Sequence, residues 1–138
     1  MNILFVCTGN TCRSPMAAAL FNKIAVERNL DVRIESAGIF ANEGENASSE
    51  AIIAMQSYGI DLTGHHAQQI NEELIRESDL ILTMTPAHKM VFNNVADGKV
   101  YTLCEYVGLD YDIDDPFGGD VDDYMETAKQ IETAVGLL

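Results

Sequence analysis

Apolar residues fall into short solid runs that alternate with stretches of helical spacing. Ile3-Leu4-Phe5-Val6 has no polar position, the pattern of a central parallel strand covered on both faces. Behind it, Ala17, Leu20, Phe21, Ile24 and Ala25 recur at helical spacing. Ser14 and Pro15 suit the N-cap and first position of that helix. Residues 32–36 read as a second strand ending at Ala37-Gly38. Ser48 or Ser49 caps a helix predicted to run through Tyr58, where Gly59 closes it. A shorter helix is expected over 71–77, a third strand at Leu80-Ile81-Leu82, and a helix from Thr85-Pro86 carrying His88, Lys89, Val91 and Phe92. Residues 100–103 are expected to form the fourth strand and 108–119 a loop rich in Gly and Asp. The last helix starts near Asp120, with Asp122 and Asp123 in its first turn where acids suit the dipole. Val121, Tyr124, Met125, Ala128, Ile131 and Val135 make its apolar stripe. This alternation predicts an α/β fold, a three-layer αβα sandwich around a parallel sheet with right-handed crossovers. Ligands of such sheets lie at the carboxyl ends of the strands.

A chain of 138 residues suits one domain, 1–138, and no repeat or linker divides it. The net charge of −14, from 22 acidic and 8 basic side chains, argues against nucleic acid as a partner; it serves solubility first and only secondarily favours cationic partners. No apolar run approaches a membrane span, and the N-terminus carries no basic leader, so a cytoplasmic protein off the membrane is expected. Three cysteines are an odd number, which argues against a disulfide framework.

The chemistry concentrates in Cys7-Thr8-Gly9-Asn10-Thr11-Cys12-Arg13-Ser14, placed between the first strand and the first helix. A strand, a tight loop and a helix N-terminus in that order make an anion cradle, because loop N–H groups and the helix dipole converge on one point. A cysteine at its mouth is favoured as the thiolate nucleophile. Arg13 can fork two N–H groups onto a phosphate and follow its charge into the transition state. Ser14 can donate to the sulfur or cap the helix, and one hydroxyl cannot do both. Asn10 can tie the loop together and tolerates a positive φ. A nucleophile and a phosphate site thus coincide, which points to phosphoryl transfer through a phosphocysteine.

The leaving group needs a proton. Asp115 is the candidate: it precedes Pro116, which fixes its backbone, and lies in the loop before the last helix. Nearby Asp112 and Asp114 favour its protonated form by like-charge repulsion. Without the Cys7 motif, the same run would read as a solvated loop.

These residues resemble the low-molecular-weight protein-tyrosine phosphatase family. The likeness covers nearly the whole chain: the loop from Cys7 to Pro15, Ser36-Ala37-Gly38, Gly59-Ile60-Asp61, Ser78-Asp79 and Asp115-Pro116. It implies a four-stranded parallel sheet, no metal or other cofactor, phosphoryl transfer to the cysteine, and an aspartate that serves as acid and then as base. It also implies a reversible Cys7–Cys12 disulfide that shields the nucleophile.

Within the family, tyrosine-directed members usually carry a bulky aliphatic residue where this chain has Thr11, and a tyrosine pair where it has Phe117 and Gly118. Thr11, Thr85-Pro86-Ala87-His88-Lys89, Glu105-Tyr106-Val107 and Asp115-Pro116-Phe117-Gly118-Gly119 look more like the bacterial protein-arginine phosphatases. A hydroxyl on the pocket wall can hydrogen-bond a guanidino group where isoleucine could only pack. The expected substrates are therefore arginine-phosphorylated proteins, with tyrosine-phosphorylated proteins as the alternative, and the expected state is a monomer.

Arsenate reduction would need relay cysteines, and residues 78–92 contain none. A phosphocarrier would need neither Arg13 nor Asp115. Cys-x4-Cys with His65, His66 and His88 matches no usual zinc spacing. Cys104 reads as a packing residue at a strand end, and Tyr106, Tyr111 and Tyr124 as pocket-lining or packing residues.

Overall fold

The computed structural model describes residues 1–96 and 98–138. The strands among them are β1 (Asn2–Cys7), β2 (Arg33–Gly38), β3 (Leu80–Thr83) and β4 (Val100–Thr102). They form one parallel sheet of four strands in the order β2-β1-β3-β4. The helices are α1 (Arg13–Glu27), α2 (Ser49–Gln56), α3 (Glu72–Glu77), α4 (Pro86–Met90), α5 (Leu103–Val107) and α6 (Val121–Val135).

The solid apolar run of β1 follows from its place between two layers. Ile3 and Phe5 face a cluster with Met16, Leu20 and Phe21 of α1, Met55 of α2 and Ile131 of α6. Leu4 and Val6 face the opposite side, against Leu74 and Ile75 of α3 and Phe92 in the turns after α4. The result is the expected αβα sandwich. β1 is central, so Cys7 ends the middle of the sheet, in register with Gly38 of β2.

Some element ends differ from expectation. α1 begins at Arg13 with Cys12 as N-cap, so Ser14 does not cap it and Pro15 is not its first residue. The Ser14 hydroxyl is engaged with Cys7 instead. α2 stops at Gln56, and Gly59 with φ 73° lets the Ile60 N–H close back on Met55. α4 ends at Met90, leaving Val91 and Phe92 in turns. β4 ends at Thr102, and Leu103 opens α5 rather than extending the strand. The signal for α5 was in the sequence: Thr102 and Glu105 form a capping box, each side chain bonded to the other's backbone N–H. Cys104 consequently lies in a helix, buried, and burial with the charge of Asp112 pushes its thiol up to about 11.

Candidate active site

The loop after β1 is held from three directions. Its backbone leans on the end of β2, where Ile39 N–H donates to the Cys7 carbonyl at 3.0 Å and Phe40 N–H to that of Thr8 at 2.9 Å. Gly38 makes this approach possible, because a Cβ there would lie 2.5 Å from the Thr8 carbonyl oxygen. From within, Asn10 is fully buried in the left-handed conformation, φ 57°. Its amide donates to Ser14 Oγ at 2.8 Å and Ser36 Oγ at 2.9 Å, and its carbonyl oxygen Oδ1 accepts the Gln68 N–H at 3.0 Å. From the third side, His65 Nε2 donates to the Asn10 backbone carbonyl at 2.7 Å.

Ser14 Oγ lies 2.9 Å from Cys7 Sγ. Cys7 is buried, as is Arg13, whose guanidinium donates to the Ile113 carbonyl at 3.3 Å and pairs with Asp115 at 3.5 Å. The Arg13 side chain is only 6% exposed and that of Asp115 56%, so a buried cation meets a carboxylate at the mouth of the site. The other Asp115 oxygen accepts the Phe117 N–H at 3.1 Å, fixing the loop after Pro116. Asp114 turns away to the Gln130 amide, leaving Arg13 as the charged partner of Asp115.

Cys7, Thr8, Gly9, Thr11, Cys12, Arg13, Asp115 and Phe117 line one cavity of about 280 Å³. Asn10 and Ser14 lie behind the loop rather than in the cavity, and act on its shape and on the sulfur. Cys12 is buried with Sγ 3.2 Å from the Tyr124 hydroxyl and 3.6 Å from Ser48. Tyr124 therefore packs beneath the loop, and burial with its Cys12 contact pushes the phenol up to about 12.

The sequence reading missed several participants. Phe40, Asn42 and Glu45, from the segment after β2, complete the cavity wall. The sequence marks His88 only within the stretch Thr85-Pro86-Ala87-His88-Lys89 and as a discounted metal ligand, with no place at the loop. It is buried with Nε2 2.9 Å from Thr8 Oγ1 and Nδ1 3.2 Å from Thr85 Oγ1. Burial, and then the Arg13 charge, push it down to about 4, so it braces the loop as neutral imidazole. His65 is pushed down too, by burial first and by His66 after it, against its backbone hydrogen bond. No local pattern marks either histidine, since each meets the loop from a distant part of the chain.

The Cys7 sulfur with the Ser14 hydroxyl behind it, the Arg13 guanidinium and the exposed Asp115 carboxylate thus meet around one cavity. The family described as low molecular weight phosphotyrosine protein phosphatase matches residues 2–138. This chain belongs to that family. The phosphatase is 46% identical over 137 residues to a protein-arginine-phosphatase of Bacillus subtilis (strain 168), covering 96% of this chain and 90% of the relative. It is 42% identical over 140 residues to the low molecular weight protein-tyrosine-phosphatase PtpB of Staphylococcus haemolyticus, covering 100% and 97%. It also superposes on a structure of the arginine phosphatase YwlE with a TM-score of 0.96 at 42% identity, covering 99% and 92% of the two chains. That structure is a mutant with a phosphorylated active-site serine in place of the cysteine. The phosphatase uses the same α/β fold, and no helix among the described residues is long and apolar enough to cross a membrane.

Proposed function

We propose that this phosphatase removes the phosphoryl group from arginine side chains of phosphorylated proteins, through a phosphocysteine on Cys7. The observation that carries the arginine reading is Thr11, a hydroxyl on the cavity wall where a guanidino group needs a hydrogen-bond partner. The likeness to a protein-arginine-phosphatase of Bacillus subtilis supports it.

In the first step Cys7 Sγ attacks phosphorus and the phosphorus–nitrogen bond breaks. Arg13 and the loop N–H groups hold the equatorial oxygens as charge spreads over them. Asp115, at the cavity mouth, gives its proton to the departing nitrogen. In the second step Asp115 takes a proton from the attacking water, and the sulfur–phosphorus bond breaks. Ser14 Oγ, 2.9 Å from the sulfur, stabilises the leaving thiolate. No metal or other cofactor enters either step. Phe117 flanks the stem of the bound side chain.

Under oxidation, peroxide converts Cys7 to the sulfenic acid, and the Cys12 thiol then displaces water to close a disulfide. A lasting sulfinic acid on Cys7 after mild peroxide, seen by mass spectrometry, would contradict this. The protein acts as a cytoplasmic monomer on its phosphorylated partners, a point that cell fractionation and sedimentation check.

Tyrosine-phosphorylated proteins are the second reading, favoured by Phe40 and Phe117, each 81% exposed at the cavity and able to flank an aryl ring. The Thr11→Ile variant separates the two. It should move preference toward phosphotyrosine, and unchanged selectivity would remove the argument from Thr11.

A further inference from the structure

The cavity is lined by charged side chains of both signs: one cation, Arg13, and two carboxylates, Asp115 and Glu45. Phe40 and Phe117 line it as well, so whatever is attached to phosphorus shares the cavity with these carboxylates and rings.

Glu45 is held in place there. Its Oε2 accepts the Asn42 amide at 3.0 Å, and its backbone N–H donates to the Asn42 carbonyl at 3.1 Å. The next turn is stapled to the segment at Ala67: Gly44 N–H donates to the Ala67 carbonyl at 2.9 Å, and Ala67 N–H to the Glu45 carbonyl at 2.8 Å. Gly44, with φ 83°, lets the chain turn tightly enough to present Glu45 to the cavity. Thus Asn42 orients the carboxylate, and the backbone staple fixes where it starts.

We infer that Glu45 is a specificity-determining residue, accepting N–H donors from the guanidino end of a phosphoarginine side chain in the cavity it shares with Asp115. This rests on the phosphoarginine reading above. A guanidino group is rich in N–H donors and has no acceptor to repel a carboxylate. An aryl phosphate offers Glu45 no donor, and its ring face is negative. The same carboxylate therefore favours one substrate class and disfavours the other. Asn42 is the positioning residue behind it.

The experiment measures kcat/KM for one peptide scaffold carrying phosphoarginine or phosphotyrosine, with wild-type enzyme, Glu45→Gln, Glu45→Lys and Asn42→Ala. Glu45 is solvent-exposed, so Glu45→Gln should lower the phosphoarginine-to-phosphotyrosine ratio by roughly three- to fivefold, as for an exposed ion pair. Glu45→Lys should lower it further, and Asn42→Ala less than Glu45→Gln. Raising ionic strength should narrow the gap between wild type and Glu45→Gln, which a merely structural role would not do. A ratio that stays constant while both activities fall, or while neither moves, overturns the role of Glu45 and leaves the proposed function standing. A wild-type enzyme inactive on phosphoarginine overturns both.

Discussion

Ser14 Oγ sits 2.9 Å from Cys7 Sγ while accepting the Asn10 amide at 2.8 Å. With one lone pair occupied by Asn10, the hydroxyl's single proton chooses between the sulfur and the Ala37 carbonyl at 3.4 Å, and the sulfur is nearer. Asn10 thereby orients a donor at the Cys7 sulfur without touching it. Hydrogen bonds to charged groups contribute about 1.5–3 kcal/mol, so Ser14→Ala should lower kcat by roughly ten- to a hundredfold. Steady-state kinetics check this, and an unchanged kcat would remove Ser14 from the sulfur's chemistry.

Asp115 is paired with Arg13 at 3.5 Å yet more than half exposed, which suits the acid role proposed for it. Asp115→Asn should lower kcat/KM on peptide substrates by roughly 10²–10⁴-fold, the usual worth of general acid–base catalysis. The loss should be much smaller for an aryl phosphate whose leaving group needs no proton. Equal losses on both would assign Asp115 a structural role toward Arg13.

Gly38 is the point of closest approach between β2 and the loop. A Cβ placed there meets the Thr8 carbonyl at 2.5 Å and the Asn10 nitrogen at 3.0 Å, both backbone atoms. Gly38→Ala should therefore displace the loop, costing about 1–3 kcal/mol of stability and most of the activity. Chemical denaturation together with kinetics tests the pair of effects.

His88 links stability to pH. Its folded value is about 4 against an ordinary 6.5, so the unfolded chain binds a proton between those limits that the folded protein refuses. The neutral form is accommodated fully above about pH 6.5, and stability is lost as pH falls toward 4. The shift corresponds to up to about 3 kcal/mol. Denaturation midpoints at pH 7 and 4.5 should separate less for His88→Asn than for wild type. His65, pushed the same way, keeps part of the slope in that variant.

The strands, their alternation with helices, and the cluster from Cys7 to Ser14 were legible because each is a local pattern: solid apolar runs, helical periodicity, a loop before a helix. Asp115 was legible through Pro116 and the glycines around it. What stayed hidden depends on distant parts of the chain meeting. His65, Gln68 and His88 reach the loop across more than fifty residues, and no spacing rule marks them. Phe40, Asn42 and Glu45 look like surface loop residues until the cavity forms beside them. The start of α1 was misread because Ser14 is a good cap in isolation, and only the folded loop shows its hydroxyl committed to the sulfur. The α5 capping box, Thr102 and Glu105, is local, but Leu103 also fits a strand end.

The most direct test is kcat/KM for one peptide scaffold carrying either phosphoarginine or phosphotyrosine, with Cys7→Ser as the blank. A clear preference for phosphoarginine, abolished in Cys7→Ser, is the expected result. A preference for phosphotyrosine would leave Cys7, Arg13 and Asp115 in their roles but contradict the substrate assignment drawn from Thr11.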